Sequence, residues 1–329
     1  MDFLNFLMKP LGQFLYFIYE TVAFKNYGWT IIIFTVIVKM ALLPLTYKQQ
    51  KSSLEMQKIQ PHIQEINEKY KNDKAKLSTE TMALYKEHNV NPIGSCLPML
   101  FQFPILIALY QVISRPLTYL LTIDSAKVTS ITDILKGLQI KLPNYPEVGI
   151  IKNLTEGIAQ TINTSFSGLG SLLLELQRGM NFYGLKLYEI PTTDPKVIMA
   201  NLGLYLPLLA LIIAATIITF ISSKLSMVSM NKRNNHHKTE ASKKLELEKN
   251  NKLKVNNKSN NQPEKKSSQM AMTNNMMLYL GPIMTLFISF SVPAGVTLYW
   301  AVGYVIMIIQ QLIMNKAFYS TKEVNKANG

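Results

Sequence analysis

Five apolar runs alternate with polar stretches along the chain. They lie at 27–46, 94–113, 201–221, 275–290 and 295–314. A helix needs about 20 mostly apolar residues to cross the hydrocarbon core of a bilayer, a length that the run at 275–290 does not quite reach. Because lipid cannot satisfy backbone N–H and C=O groups, helices are the simplest spanning structure. The pattern therefore predicts an all-α polytopic membrane protein with five transmembrane helices.

The N-terminal stretch, residues 1–26, is too interrupted for a clean span. Lys9, Pro10 and Glu20 break it, and its longest apolar run, at 11–19, is too short to cross the bilayer. We expect an uncleaved amphipathic helix lying at the membrane interface. A weak first span is the alternative.

The polar stretch at 47–93 predicts a helical hairpin. Apolar residues repeat at spacings of 3, 4, 3 and 4, as in a coiled-coil seam, at Met56, Ile59, Ile63, Ile66 and Tyr70. Pro61 is expected to kink this helix or restart it. A turn at 72–74 precedes a returning helix at 77–88.

Two further polar stretches differ in composition. Residues 114–200 hold seven acids and eight bases with several Pro and Gly, which predicts a long loop with short helices at the membrane surface and no assigned chemistry. Residues 222–274 hold 12 bases and 4 acids in a Lys- and Asn-rich sequence. Such a composition cannot bury a core, so this stretch is predicted to be disordered.

Charge sets the predicted topology. The chain carries a net charge of +14, and 23 of its 34 Lys and Arg residues lie at 47–93, 222–274 and 315–329. Positively charged loops stay in the cytosol. The hairpin, the basic stretch and the C-terminal tail are therefore predicted to be cytosolic, the 114–200 loop extracellular and the N-terminus outside.

One cation lies in the middle of the first predicted span. Helical rise puts Lys39 about 16 Å from Gly28, near mid-depth of a core about 30 Å thick. Thr35 and Thr46 fall within about 40° of it on the helix. A buried charge costs about 2.5–3.5 kcal/mol on insertion scales and usually faces a wet cavity. The alternative is a lysine that extends to the interface.

Other spans carry polar residues that are candidates for the same cavity. Gln102 lies in the second span, while Thr216, Thr219 and Ser223 share one face of the third. On the last span, a stripe within about 60° is formed by Thr297, Trp300, Tyr304 and Gln311. Packing between helices explains this stripe nearly as well.

The sequence offers no chemistry of the usual catalytic or metal-binding kinds. Cys96 is the only cysteine, and the four histidines lie in polar segments without metal-ligand spacing. The spans contain no nucleophile–base pair for an intramembrane enzyme and no carboxylate for proton coupling. We therefore expect no enzyme activity, no cofactor and no metal.

Several motifs in order resemble the YidC/Oxa/Alb family of membrane protein insertases. The resemblance rests on residues 91–110, on the Pro-Ala-Gly-Val-Thr-Leu-Tyr-Trp sequence at 293–300, and on Gln310-Gln311. It extends to 44–46, to Gln60-Pro61 and to 277–285. The matching positions cover the five spans and the hairpin and leave out both long loops.

The resemblance implies a five-helix core around a hydrophilic groove, open to the cytosol and to lipid and closed on the outer side. Lys39 occupies the position of the family's groove charge, which is usually arginine; lysine keeps the charge without the bidentate fork. Thr35 and Trp300 match groove-lining positions, whereas Tyr304 stands where asparagine is common and Ser222 where glutamine is frequent. The hairpin resembles the family's substrate-receiving hairpin.

These observations predict an insertase that moves nascent membrane proteins from the cytosol into the plasma membrane of a bacterium. Expected partners besides these clients are the ribosome, contacted through the basic loop at 224–270, a Sec translocon and anionic lipids. A small-solute or ion transporter that uses Lys39 is the alternative, although no internal repeat supports it.

Overall fold

The computed structural model describes residues 2–88, 90, 97–250 and 268–327. Within these residues the chain is mostly helical, with one short β ribbon. In chain order the elements are α1 (Asp2–Thr21), α2 (Tyr27–Ala41), α3 (Leu43–Lys69), α4 (Lys74–Glu87), α5 (Leu97–Ser114), α6 (Pro116–Tyr119), α7 (Ser125–Gly137), α8 (Pro146–Asn153), α9 (Glu156–Ser165), α10 (Leu169–Gly179), β1 (Asn181–Phe182), β2 (Leu185–Lys186), α11 (Pro195–Ala200), α12 (Leu202–Asn250), α13 (Ser268–Ser289) and α14 (Ala294–Ala327).

Among the residues that the structure describes, two stretches are long and apolar enough to cross a bilayer, Leu202–Ser226 in α12 and Ala294–Met314 in α14. A third arises if α2 and the start of α3, which are separated by a bend, form one span. Pro104–Ser114 in α5 and Leu278–Ser289 in α13 are apolar but shorter. A mostly helical membrane protein is therefore confirmed, while the number of five spans stays a prediction.

The bend after Ala41 has a local cause. Pro44 occupies the first turn of α3, where its nitrogen cannot donate to the preceding turn and its ring crowds the carbonyl four residues earlier. The apolar run at 27–46 is thus divided between two helices, and Lys39 lies in the last turn of the first one.

The spanning helices leave apolar faces uncovered. On α12, large exposed side chains recur on one face at Leu206, Ile213, Ile217 and Ile221. On α14 a comparable stripe contains Val305, Ile309, Leu312 and Ile313. Water disfavours contiguous apolar patches of this kind, whereas lipid tails accept them, so these faces suit a bilayer.

The chain divides into two compact units. The first holds the described residues of 1–41, 101–220 and 281–308, and the second those of 42–100, 221–280 and 309–329. The main hydrophobic core lies in the first unit. Its largest fully buried side chains include Phe34 of α2, Leu109 of α5 and Leu117 of α6.

The segment between α5 and α12, residues 115–201, is here called the cap. As predicted, it contains short helices, but it also contributes much of the buried core, with Ile131, Ile150 and Leu173 fully buried. It includes the antiparallel pairing of β1 with β2, which an all-α class does not contain. The ribbon turns at Tyr183-Gly184, both with positive φ, a geometry that suits tight hairpins.

In the second unit, α3 and α4 pack against each other as a hairpin. Asp73 caps α4 by accepting a hydrogen bond from the Lys76 N–H at 3.0 Å, so α4 begins three residues before the predicted position. The predicted restart of the first helix at Pro61 is wrong, because α3 continues unbroken from Leu43 to Lys69. One missing backbone donor does not end a helix of 27 residues.

The predicted disordered stretch at 222–274 is helical wherever the structure describes it. Helix α12 continues to Asn250, and α13 already begins at Ser268. No Gly or Pro occurs between 222 and 250, so nothing in the sequence interrupts the helix that begins in the third span. Residues 251–267 of this stretch, and 91–96 of the second predicted span, lie outside the described residues.

Candidate functional site

Helix α2 places Thr35 and Lys39 one turn apart on the same face. Thr35 is fully buried, and its hydroxyl donates to the Ile31 carbonyl at 2.6 Å. This bond satisfies the hydroxyl within its own helix. Lys39 is half-buried, so its aliphatic stem is covered while the side chain is not sealed into the core.

Helix α14 approaches this face at Gly303. A Cβ atom added there would lie 3.6 Å from Lys39 Cε and 3.9 Å from Thr35 Cγ2. The lysine stem therefore lies against a part of α14 that has no side chain. We call Thr35, Lys39 and Gly303 the lysine seam. It is the place where the first unit brings the predicted cation and one of the predicted threonines together with the last helix.

The polar stripe on α14 is only partly in reach of solvent. Thr297 is fully buried, and its hydroxyl has no hydrogen-bond partner among the described residues. Trp300 is half-buried and packs against the core of the first unit. Tyr304 is half-buried. On α13, Thr285 and Ser289 are buried, and the Ser289 hydroxyl donates to the Thr285 carbonyl at 2.6 Å. Neither residue was predicted, although their spacing of four within an apolar run places both on one helical face and could have indicated them.

Contacts between the lysine seam and the remaining predicted residues stay a prediction. Thr216 is half-buried and donates to the Ile212 carbonyl of its own helix at 2.8 Å. The side chain of Gln102 lies outside the described residues. Three others belong to the second unit, Thr46, Ser223 and Gln311. A single groove lined by all ten residues thus stays a prediction.

In the second unit, Gln311 is buried and its side-chain oxygen accepts a hydrogen bond from the Ser226 hydroxyl at 3.0 Å. Thr46 donates to the Leu42 carbonyl at 2.9 Å. Ser222 is fully buried and its hydroxyl has no partner in the described part of the chain. It lies one residue before the predicted Ser223, on the buried face of α12 that also holds Thr219.

Burial falls along the first unit's helices with distance from the cap. On α14 every residue from 292 to 299 is buried, whereas exposed positions recur from Val305 onward. On α2 the last buried residue is Thr35, and Met40 is largely exposed. On α5 the residues next to the cap, 112–114, are buried and residues 104–107 are half-buried. Side chains of these helices are thus buried at the cap ends and more often exposed toward the far ends.

Backbone hydrogen bonds fasten the cap to the start of α14. The N–H groups of Ala294 and Gly295 donate to the carbonyls of Glu189 and Leu187, both at 2.9 Å. The first turn of a helix has no acceptors of its own, so the cap supplies them. The Glu189 carboxylate is buried and paired with Lys152. The cap end of the helices is therefore closed by defined contacts.

A second buried carboxylate, Glu147 of α8, links α8 to α6 within the cap. It accepts hydrogen bonds from the Thr118 N–H at 3.0 Å and the Thr118 hydroxyl at 2.6 Å. Burial raises the pKa of Glu147, and the bonds from Thr118 oppose this shift. No role could be predicted for Glu147, because a glutamate that follows a proline at a helix start looks in the sequence like an ordinary exposed glutamate.

Within the part of the chain that the structure describes, no group of three or more His, Cys, Asp or Glu side chains is placed to hold a metal ion. The chemistry available at the lysine seam is therefore that of its own side chains: one cation, a buried threonine, and, over Gly303, a position without a side chain that the lysine stem lies against. Such a set can attract and desolvate an anionic group, and no bond-breaking step follows from it.

Comparison with known proteins gives consistent matches. The model of the 60Kd inner membrane protein family matches residues 17–322. A protein of Leptospira interrogans named membrane protein insertase YidC is 30% identical over 303 residues, which are 92% of this chain and 33% of that protein. A protein of that name from Fusobacterium nucleatum is 49% identical over 112 residues, 33% of this chain and 55% of the relative.

A third relative of the same name, from Clostridium tetani, is 54% identical over 90 residues, which are 27% of this chain and 41% of that protein. The matched stretches thus cover about half or less of the length of these curated relatives.

Proposed function

Since the chain belongs to the family of the 60Kd inner membrane protein, we propose that it is a membrane protein insertase of a bacterial membrane. Its matched relatives carry the name membrane protein insertase YidC. The proposed activity moves nascent membrane proteins from the cytosol into the bilayer. It makes and breaks no covalent bond, so it needs no nucleophile, cofactor or metal.

The lysine seam is the observation on which this proposal rests. Lys39 lies beyond the closed cap end, where more side chains of α2 and α14 are exposed and the lysine stem lies against Gly303. A cation at that position can offset the cost of bringing a short polar or acidic tail out of water. The apolar segment of the client then moves between the helices into lipid, and hydrophobic transfer supplies the driving force.

The proposal includes a five-span architecture around a hydrophilic groove. The spans are the apolar runs at 27–46, 94–113, 201–221, 275–290 and 295–314. The charge distribution supports an outer N-terminus, a cytosolic C-terminus and a cap outside the cell. The groove is lined by Lys39 and Thr35 with Thr46, Gln102, Thr216, Ser223, Thr297, Trp300, Tyr304 and Gln311.

We assign the cytosolic contacts to the two polar elements on that side. The hairpin of α3 and α4 receives clients. The basic segment at 224–270 contacts the ribosome, because the tail at 315–329 has only three lysines. Anionic lipids and a Sec translocon are further proposed partners. Deletion of 224–270 should reduce co-sedimentation with ribosomes in low salt, and unchanged co-sedimentation removes this contact from the proposal.

Site-specific photocrosslinking tests the groove. A photoreactive residue is placed at position 35, 39 or 300, and the protein is mixed with ribosome-stalled chains of a small single-span membrane protein. Crosslinks from all three positions should appear and disappear as the nascent chain lengthens. The exposed positions 213 and 217 on α12 provide lipid-facing controls.

Crosslinks from the control positions alone would contradict the proposal. A transporter that uses Lys39 as an anion site would then be the better explanation, since the same cation suits a small anion. Transport of labelled anions into proteoliposomes distinguishes that activity from insertion.

A further inference from the structure

A row of aromatic side chains lies at the cap end of α2. It consists of Phe24, Trp29, Phe182 and Tyr183, which we call the aromatic rim. Phe24 is 91% exposed and Tyr183 is 80% exposed. Trp29 is also classed as exposed, while Phe182 is half-buried between its neighbours. Large aromatic rings are rarely left this accessible on a surface that faces only water.

Close packing fixes the β ribbon on the first turn of α2. A Cβ atom added at Gly28 would lie 2.2 Å from the ring of Phe182, so only glycine lets this ring lie on the helix backbone. The Phe182 ring contacts Trp29 edge-on, with 5.9 Å between centroids, and Tyr183 edge-on at 4.8 Å. The tip of the ribbon is therefore held at a defined position beside α2.

The turn between α1 and α2 brings Phe24 to the same end of the molecule. This turn adjoins the last residue of α10, because a Cβ added at Gly179 would lie 2.3 Å from the Lys25 carbonyl. Residue 179 is two positions before β1. The Lys25 ammonium is paired with Glu175 at 2.7 Å, while Lys186 of β2 is exposed.

The backbone holds the rings outward at a conformational cost. Phe24 and Tyr183 adopt positive φ angles of 51° and 49°, a region that side chains other than those of Gly, Asn and Asp rarely occupy. Neither strained residue gains burial in return, since both are almost fully exposed. An apolar surface that covered the rings would offset this cost.

We propose that the aromatic rim inserts into the headgroup region of the leaflet on the cap side and anchors the cap to the bilayer. The rim is continuous with the apolar surface of α2, where Val36, Ile37 and Met40 are exposed further along the helix. Trp and Tyr rings favour this boundary because one edge is apolar and the other can hydrogen-bond.

Tryptophan fluorescence can locate the rim, because Trp29 and Trp300 are the only two tryptophans in the chain. The variant Trp300→Phe leaves Trp29 as the sole reporter. A second variant combines Trp29→Phe and Trp300→Phe with Tyr183→Trp, which keeps an aromatic ring at the tip. Both are reconstituted in phosphatidylcholine vesicles with bromine near the headgroup or deep in the acyl chain.

The matched control places tryptophan on a charged part of the cap. Glu156 has a side chain that is 83% exposed and lies near Arg178, and Glu156→Trp is made in the same background without native tryptophan. We expect shallow bromines to quench tryptophan at 29 and 183 at least twofold more than deep bromines do. Acrylamide in the water should instead quench the control most strongly.

Two results would overturn the proposal. Quenching of position 183 by acrylamide to the same extent as position 156, without quenching by lipid, places the rim in water. Protection of position 183 from both quenchers means that protein covers it, for example a second copy of this chain. Neither measurement involves a client protein, so the outcome is independent of the proposed insertase activity. Equal melting temperatures of the variants exclude misfolding as the cause.

Discussion

The two ends of the pair formed by α2 and α14 are built differently. At the cap end, a glycine of α2 lies directly under an aromatic ring, with only 2.2 Å between the added Cβ and Phe182. At the far end, a Cβ added to Gly303 of α14 would lie 3.6 Å from Lys39 Cε, an ordinary van der Waals distance. The pair thus combines an end where an added Cβ would clash with an end where it would fit against the lysine stem.

Substitution of the two glycines by alanine should separate these ends most clearly. Gly28→Ala forces Phe182 and the ribbon away from α2, because the clash involves atoms close to the backbone of Phe182. Overpacking of this kind costs about 2–3 kcal/mol. Gly303→Ala meets no clash and should gain up to about 1 kcal/mol from helix propensity. Thermal unfolding in detergent measures both.

Gly157 supplies the control for this pair. It lies in α9, and an added Cβ would meet nothing within 4 Å. Gly157→Ala should therefore behave like Gly303→Ala. Equal melting temperatures for the variants at positions 28 and 303 would contradict the difference in packing between the two ends.

Reversal of the charge at the far end should have the next largest effect. Lys39→Glu places a carboxylate beside any acidic client tail, and repulsion in a partly buried site costs on the order of 1–2 kcal/mol. Insertion of acidic-tailed clients should fall about tenfold, since about 1.4 kcal/mol corresponds to that factor. Basic-tailed clients should insert normally. Insertion is measured by protease protection in proteoliposomes.

Two further substitutions make the charge test specific. Lys39→Arg keeps the cation and should preserve insertion of acidic tails. Lys48→Glu reverses an exposed lysine on α3, and salt screens such a charge, so it should not discriminate between tails. If Lys39→Glu inserts acidic and basic tails equally well, Lys39 does not act as the groove charge.

The family and the helical class could be predicted from the sequence because both depend on local patterns. Apolar runs and ordered motifs such as Pro293-Ala294-Gly295 are visible without coordinates, and the family match over residues 17–322 confirms the resemblance. The structure of the cap could not be predicted in the same way. Its core joins Ile131, Ile150 and Leu173 from three separate helices, and no periodicity within one segment reports contacts of that kind.

The candidate site shows the same limit. Thr35 and Lys39 share a face because helical geometry fixes their spacing. The partner of that face, Gly303, could not be found, since a glycine in an apolar run carries no signal of what lies against it. Helical spacing alone also predicts Thr46, Ser223 and Gln311 as residues of the groove. Their relation to Lys39 requires interhelical distances that the sequence does not contain.

The absence of a side chain at Gly303 should matter for function more than for folding. Gly303→Leu adds three carbons beyond a Cβ that already lies 3.6 Å from Lys39 Cε, so it displaces the ammonium. We expect insertion of acidic-tailed clients to fall about threefold to fivefold, the equivalent of just under 1 kcal/mol. Gly303→Ala adds only a Cβ that fits against the lysine stem, so it is the matched control. If Gly303→Leu inserts acidic-tailed clients as well as the wild type does, at an unchanged melting temperature, the missing side chain at position 303 has no role in insertion.

The smallest expected effect tests the closed end through the pH dependence of its stability. Burial raises the pKa of Glu147 above its ordinary value of 4.5. The folded protein therefore holds this proton more tightly than the unfolded chain does. Its stabilising contribution is complete below the unfolded pKa and is lost as the pH rises through the folded pKa. Glu147→Gln should remove that loss, because glutamine is neutral at every pH.

Glutamine can also keep both contacts with Thr118. Its oxygen can accept from the Thr118 N–H, and its NH₂ group can donate to the Thr118 hydroxyl, which then acts as the acceptor. We expect a smaller decline in melting temperature for the variant than for the wild type as the pH rises from 4.5 to 8. Glu156→Gln, at an exposed position, should follow the wild type. Parallel curves of melting temperature against pH for all three proteins would mean that Glu147 is already ionised throughout this range. The buried side chain in the cap would then be a carboxylate and not a protonated carboxyl group.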